Sequence, residues 1–289
     1  MSRMHFAGRY EESALSSHPV YESHSHGYTH ASLVDHKSGS VHTGLSINQL
    51  IEQGTLAPHV HSYEEGFYIL EGQALLAVRD QAYLIRPGDF GAFKVGTLHG
   101  WRNAGLSPVR WLQMAAPQPK PPGSERDTFF AKNGQIPMVA KPLDASDLKG
   151  DLLGHFDASQ IPPVDQRPAA LVGSKGVYLN WMIDEKFGAR HHRMLFIEYQ
   201  PGAGIPPHDH TFEEAYFLLS GEVEAVMDGE RRIAKAGDVL WTGVGCVHSF
   251  RNISSQPARW LETFAPQPPV ENVFRFTAEW EQRAKELEG

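Results

Sequence analysis

One short pattern occurs twice in this chain, complete both times and at a fixed offset. The first copy reads His59-Val-His61, then Glu65, Gly72, Gly88, His99 and Asn103. The second reads His208-Asp-His210, then Glu214, Gly221, Gly237, His248 and Asn252. Members of each pair stand 149 positions apart (208−59, 214−65, 248−99, 252−103). Such self-similarity means one structural unit used twice. Six histidines and two glutamates held in one order and spacing point to metal as their shared purpose.

The match runs past these residues. Arg102-Asn103 repeats as Arg251-Asn252, Arg110-Trp-Leu112 as Arg259-Trp-Leu261, and Pro117-Gln-Pro119 as Pro266-Gln-Pro268. Upstream it thins, although His42 still aligns with His191. Short alternating apolar runs end in turn residues, as in Phe67-Tyr-Ile-Leu before Glu71-Gly72 and Tyr216-Phe-Leu-Leu before Ser220-Gly221. Arg86-Pro-Gly-Asp89 and Lys235-Ala-Gly-Asp238 are turn signals ahead of further strands. With 27 Gly and 20 Pro in 289 residues, the pattern reads as all-β. Thr277 to Glu288, an N-cap followed by strong helix formers, is the one clear helix expectation. The first forty residues are rich in His and Ser and weakly patterned.

Composition narrows the function classes. A net charge of −8 with no basic cluster argues against nucleic acid as a partner. One cysteine, Cys246, excludes an intramolecular disulfide framework. The N-terminus lacks the apolar run of a signal peptide, and no stretch is long enough to span a membrane, so a cytoplasmic protein without membrane partners is expected.

Strand geometry turns the motif into a metal site. Histidines at i and i+2 of a strand share a face, and a carboxylate four residues on keeps that parity. His59, His61 and Glu65 therefore form one ligand set, completed by His99 from a distant strand. His208, His210 and Glu214, completed by His248, form the second. Glu64 and Glu213 are out of phase and are expected to face outward or to support the ligands. Three imidazoles and a carboxylate suit a divalent transition metal: Mn, Fe, Co, Ni, Cu or Zn. They leave a net charge near +1 and, on an octahedral ion, about two open positions.

The residues that carry this reading resemble the cupin superfamily in its two-domain form. The first family motif, Gly, His-x-His, Glu, Gly, is matched by Gly202, His208, His210, Glu214 and Gly221. The earlier copy matches at His59, His61, Glu65 and Gly72, with its leading Gly54 one residue closer. The second motif is matched by Gly237, Gly245, His248 and Asn252, and by Gly88, Gly96, His99 and Asn103. Its usual proline is replaced by Lys94 in one copy and Gly243 in the other. Fifteen residues separate the two motifs each time. The resemblance implies two tandem jelly-roll β-barrels with a short C-terminal helix. It divides the chain into an N-terminal arm (1–40), a first barrel (41–120), an inter-barrel segment (121–175), a second barrel (176–270) and the C-terminal helix (271–289). It also implies a homo-oligomer.

Around the ligands, parity places Phe67, Ile69 and Trp101 in the first pocket and Tyr216, Leu218 and Phe250 in the second. Tyr216 is the stronger chemical candidate, because a phenol beside a metal can donate a hydrogen bond or a proton. Glu262 replaces Gln113 between the copies, putting a titratable group at one site alone. Cys246, where the first copy has Thr97, reads as a small buried residue or a thiol near the metal. His191 and His192 either face the second pocket or make ordinary hydrogen bonds. His24, His26 and His30 form a polar arm or a loose metal cluster.

The second site is the expected catalytic one. The family resemblance implies a metal-dependent enzyme acting on a small, oxyanionic molecule, first of all a dioxygenase with Mn or Fe as the favoured metal, through similarity to quercetinases and oxalate decarboxylases. A decarboxylase is a further reading. Asp184-Glu-Lys-Phe-Gly188 and Pro201-Gly-Ala-Gly204 resemble the second-barrel entry of Mn-dependent ureidoglycine aminohydrolases. A non-catalytic binding protein is the third class.

Overall fold

The computed structural model describes residues 4–121, 123–132, 135–137, 139–143, 153–167, 175–267 and 275–276, together with 278, 281, 282 and 285. Nearly all of its regular structure is strand, curled into two barrels. Much of the expected helix over Thr277–Glu288 lies outside the described residues, and Ala278, Glu281, Gln282 and Lys285 within it are helical. Among the described residues no helix is long and apolar enough to cross a membrane.

In the first barrel an 18-residue strand, Gly44–His61, serves two sheets in succession. Its first part pairs with Val109–Ala116, and its second part turns to pair with His99–Asn103. In the second barrel the equivalent strand is broken into Arg193–Tyr199 and Gly204–Asp209. The break falls at Pro201-Gly202, where Pro lacks a ladder donor and Gly202 takes φ +77°.

The stretch read as an N-terminal arm in fact supplies barrel strands. Ser25–Val34 pairs with Gly44–His61 just as Val177–Ile183 pairs with Arg193–Tyr199. Tyr28 and Val34 stand 149 positions before Val177 and Ile183, so the repeat extends upstream of its legible part. His5–Arg9 pairs antiparallel with Asp238–Thr242 of the second barrel. Leu153–His155, from the inter-barrel segment, covers the equivalent edge Asp89–Phe93 of the first.

Alternation along the strands feeds two cores at once. On Glu213–Ser220, Tyr216 and Leu218 point into the second barrel, while Ala215 and Phe217 join a cluster shared with the first. On Arg193–Tyr199, Leu195, Ile197 and Tyr199 point inward, and Met194 and Phe196 join the shared cluster. Both faces of these strands are buried, so the alternation expected from the sequence gives way to continuous burial along Arg193–Tyr199 and most of Glu213–Ser220. The shared cluster includes Ile47, Leu112 and Met114 of the first barrel and Val239, Trp241 and Leu261 of the second. Each fully buried side chain of this size contributes about 1.5–3 kcal/mol, so the barrels are held as one body.

The same parity explains Glu64 and Glu213. They do face outward from their own barrels, but what lies outside is the other barrel. Glu64 is 1 % exposed and accepts hydrogen bonds from the backbone N–H groups of Arg190 and His191. Its Oε1 lies 2.7 Å from Nδ1 of the fully buried His192, so His192 serves the interface and not the second pocket. Glu213 accepts from the N–H groups of Val41, His42 and Thr43 and from the hydroxyl of Ser40.

Candidate metal centres

His59 and His61 close the strand Gly44–His61, and His99 opens the strand His99–Asn103, with His59 and His99 in direct register. Glu65 lies at the start of Glu64–Glu71. The second set repeats this arrangement, with His208 in register with His248 and Glu214 opposite Thr242. All eight side chains are buried. His59, His61 and His99 converge to within 4.8 Å, and so do His208, His210 and His248. The structure thus brings together every expected ligand of both sets. His24, His26 and His30 form no such group among the described residues, and His24 instead stacks on Phe130.

The outward ring nitrogens decide whether these sets suit a cation. Nδ1 of His59, His99, His208, His210 and His248 faces the carbonyl of Ala57, Thr97, Pro206, Phe212 and Cys246 respectively, at 2.7–3.0 Å. A carbonyl can only accept, so each ring carries its proton on Nδ1 and turns a lone pair inward at Nε2. Nδ1 of His61 faces the Thr128 hydroxyl at 3.0 Å, and that hydroxyl donates to Asp127. His61 is therefore fixed in the same tautomer.

Each centre is then a ring of acceptors with no donor among its ligands. Nε2 of His61 lies 2.9 Å and Nε2 of His99 3.6 Å from Oε2 of Glu65, yet neither nitrogen makes a hydrogen bond. In the second set the same contacts to Glu214 are 2.8 Å from His210 and 3.3 Å from His248. Buried acceptors that point at one another need a cation between them. The residues present fit a divalent ion in both barrels.

Electrostatics agree at His59, His61 and His208, which burial lowers, but not at His210, where burial is outweighed by the Glu214 carboxylate, which raises the ring above the ordinary range. Burial holds His59 well below the ordinary histidine range, and pushes His208 down to about 4, so both rings stay neutral as ligands must. Burial alone would raise Glu65 and Glu214, but the imidazoles of His99 and His61, and of His210 and His248, hold both carboxyls well below the usual range.

The two centres differ in what surrounds them. A cavity of about 220 Å³ opens on His208, Glu214 and His248. Its walls are mostly apolar, including Leu179, Trp181, Ile197, Phe250 and Phe264. Tyr216 donates a short hydrogen bond to Glu214, and its oxygen lies 3.3 Å from Thr242 Oγ1 and from His248 Nε2. Glu262 faces the same cavity and accepts from Trp260 Nε1 at 3.1 Å. Burial and the nearby Glu214 push its carboxyl well above the ordinary range. Leu218 belongs to the core of this barrel, where it packs without lining the cavity.

At the equivalent positions of the first barrel the hydroxyls and the acid are gone. Phe67 stands for Tyr216, Phe93 for Thr242 and Gln113 for Glu262, each at the offset of 149. Phe93 stacks on His99 with ring centres 4.1 Å apart, and Tyr21 and Phe130 close over His59, whereas Tyr63 stacks on His61 at 4.4 Å just as Phe212 stacks on His210 at 4.0 Å. Trp101 stacks on Trp111 behind them. Gln113 Nε2 donates to Glu65 Oε2 at 3.2 Å. Sequence reading alone found Tyr216 and Glu262, while the Phe93–Thr242 exchange escaped it although the same alignment displays it.

The cupin domain family model matches residues 49–114 and 195–264, one match over each metal-ligand set. The chain is a two-domain cupin. Its fold is shared with oxalate decarboxylase from Bacillus subtilis, with a TM-score of 0.67 at 16% identity over 99% of this chain and 82% of that one. Lactobacillus farciminis oxalate decarboxylase, solved as a formate complex, gives 0.64 at 17% identity over 100% and 94%. A sequence relative, "Polyketide synthase CurC" from Streptomyces cyaneus, is 31% identical over 78 residues, 26% of this bicupin. That match spans about half the length of the relative (51%).

Proposed function

We propose that this bicupin is a metal-dependent enzyme that transforms a small oxygen-bearing molecule in its second barrel, most specifically as a dioxygenase. The observation that carries the reading is the cluster of Tyr216, Thr242 and Glu262 around Glu214 beside an open cavity, against Phe67, Phe93 and Gln113 in the first barrel. One barrel keeps ligands, space and proton donors together. The other keeps the ligands and fills the surroundings with aromatic rings.

His208, His210, Glu214 and His248 would hold the ion, which when bound supplies Lewis-acid and redox chemistry. The chain's own groups do the rest. Backbone carbonyls behind His208 and His248 fix their tautomer and aim. Tyr216 holds Glu214 in place and keeps its own proton, because burial and Glu214 push the phenol well above its ordinary range. Glu262, kept neutral at its buried position, holds a transferable proton where Gln113 holds an amide that cannot titrate.

The lining argues for the kind of substrate. Among the described residues that line the cavity there is no Lys or Arg. Three neutral imidazoles and one carboxylate leave a divalent ion with a net charge near +1, which a monoanion such as an enolate or phenolate neutralises. A dianion would leave net negative charge in an apolar cavity, at a cost of several kcal/mol. Apolar walls also suit a carbon skeleton and dioxygen itself. This favours oxygenation over decarboxylation of a small diacid, the chemistry that the names of its structural neighbours bring to mind.

The test is dioxygen uptake by metal-loaded protein with enolic and phenolic monoanions, run beside anaerobic assays for carbon dioxide and ammonia release. Oxygen consumption that depends on substrate and metal supports the proposal. Carbon dioxide or ammonia release without oxygen uptake would replace it with a decarboxylase or a hydrolase.

A further inference from the structure

A third group of ligand-type side chains converges outside both barrels' interiors. His5 opens the strand His5–Arg9, in register with Thr242. That pairing lays its ring on the hairpin between Glu222–Met227 and Glu230–Lys235. Nδ1 of His5 lies 3.8 Å from Asp228 Oδ2, and Nε2 lies 3.3 Å from Glu230 Oε2. His5 is 6% exposed, and neither ring nitrogen makes a hydrogen bond. Cys246, 1% exposed, completes the group: a His5 nitrogen, an Asp228 carboxylate oxygen and Cys246 Sγ lie within 4.8 Å of one another.

The frame around these atoms is rigid. Asp228 and Gly229 both take left-handed φ, at +47° and +80°, as a two-residue hairpin turn requires. Asp228 N–H donates to the Val247 carbonyl at 2.8 Å, and its Oδ1 accepts from Val247 N–H at 3.1 Å. Gly243 N–H donates to the Met4 carbonyl at 2.7 Å, tying the start of the chain to the loop that carries Cys246. The first barrel has Arg79 and Thr97 where the second has Asp228 and Cys246, so duplication did not produce this group.

We propose that His5, Asp228 and Cys246 form a third cation site, one that takes a borderline-soft divalent ion such as Zn²⁺ or its analogue Co²⁺. One imidazole, one carboxylate and one thiolate are a ligand set for such ions, with a remaining position for water. Glu230 sits on the far nitrogen of His5, the place of the carboxylate that orients a metal-bound imidazole. Asp228, whose side chain is 35% exposed, provides the way in for the ion. The consequence reaches the catalytic barrel, because the Cys246 carbonyl accepts from Nδ1 of His248 at 3.0 Å. An ion here pins the N-terminal strand to the loop that aims a ligand of the second centre.

Titration with Co²⁺ tests this cleanly. The chain has one cysteine, and both barrel centres offer only nitrogen and oxygen, so thiolate-to-cobalt charge-transfer absorption reports Cys246 alone. The full-length protein should develop that band and saturate it at about one equivalent beyond the barrel centres. Cys246→Thr, which installs the first barrel's residue, should abolish the band and lower bound Co²⁺ by one equivalent while both barrels still load. His5→Ala and Asp228→Asn should each abolish or strongly weaken it. A folded wild-type protein that loads both barrels but shows no band would overturn the site, leaving His5 as a ring packed between two carboxylates. A band that survives His5→Ala with undiminished affinity would overturn it too, by showing that Cys246 binds cobalt without its neighbours.

Discussion

Glu64 and Glu213 stand 149 positions apart and grip each other's barrels in the same way. Glu64 accepts from the backbone at Arg190 and His191, and Glu213 accepts from the backbone at Val41, His42 and Thr43. The segments they hold, 41–43 and 190–192, are themselves related by the same offset. Each glutamate directly precedes a metal-ligand glutamate, so interface and centre are built from adjacent residues on opposite faces of one strand. The duplicated unit was thereby fitted to be its own partner.

Removing this grip should cost stability out of proportion to one side chain. Glu64→Ala leaves the N–H groups of Arg190 and His191 and the buried His192 without this acceptor, a loss of about 3–5 kcal/mol for a broken buried charged contact. Denaturant unfolding followed by near-ultraviolet circular dichroism checks this. A change below about 1 kcal/mol would mean that the shared apolar cluster alone joins the barrels.

Acid should weaken the same contact. Burial opposes ionisation of Glu64, yet His192 and the N–H groups of His191 and Arg190 hold its carboxyl below its ordinary value of 4.5. A carboxyl depressed in the folded state contributes stability that is present above its unfolded pKa and lost as pH falls through the folded one. Stability measured from neutrality down to about pH 3 should therefore fall less steeply in Glu64→Gln than in wild type. Parallel curves would remove Glu64 from the acid response.

The repeat made much of this molecule legible in one dimension. All eight candidate ligands follow from spacing, because side chains that converge on one buried point tolerate little drift in type or register. The strand Ser25–Val34 was opaque, since its counterpart Val177–Ile183 keeps the shape with different side chains on an equally mixed surface. The strand His5–Arg9 could not be placed at all, because its partner Asp238–Thr242 is more than two hundred residues away and backbone pairing leaves little trace in side-chain identity. Glu64 and Glu213 gave the parity but not the occupant of the outward face, which depends on how the two barrels dock.

Exchanging Glu262 for the first barrel's residue separates proton supply from metal binding. Glu262→Gln should keep the ion and lower kcat by about 10²–10⁴-fold, the usual contribution of a positioned acid. The pH profile should change along with it. Glu262 is raised in the folded protein, so its stability contribution is full below its unfolded pKa and lost as pH rises through the folded one. Metal-free wild type should thus lose stability towards alkaline pH along a slope that Glu262→Gln abolishes. Full activity with unchanged metal content in the variant would take Glu262 out of the chemistry.

Metal content and turnover, measured on paired variants, assign the working barrel. His210→Ala should empty the second centre and abolish turnover, because the remaining imidazoles and Glu214 cannot close the ring of acceptors. His61→Ala should empty the first centre, lower stability through the lost cross-link to Thr128, and leave turnover within about twofold of wild type. Tyr216→Phe, which recreates the first barrel's Phe67, should retain both ions and still lose at least about tenfold in kcat. Elemental analysis beside steady-state kinetics reads all three. The opposite pattern, with activity surviving His210→Ala and vanishing in His61→Ala, would place the chemistry among the aromatic rings at His59, His61, Glu65 and His99, and the cavity beside Tyr216 would need another purpose.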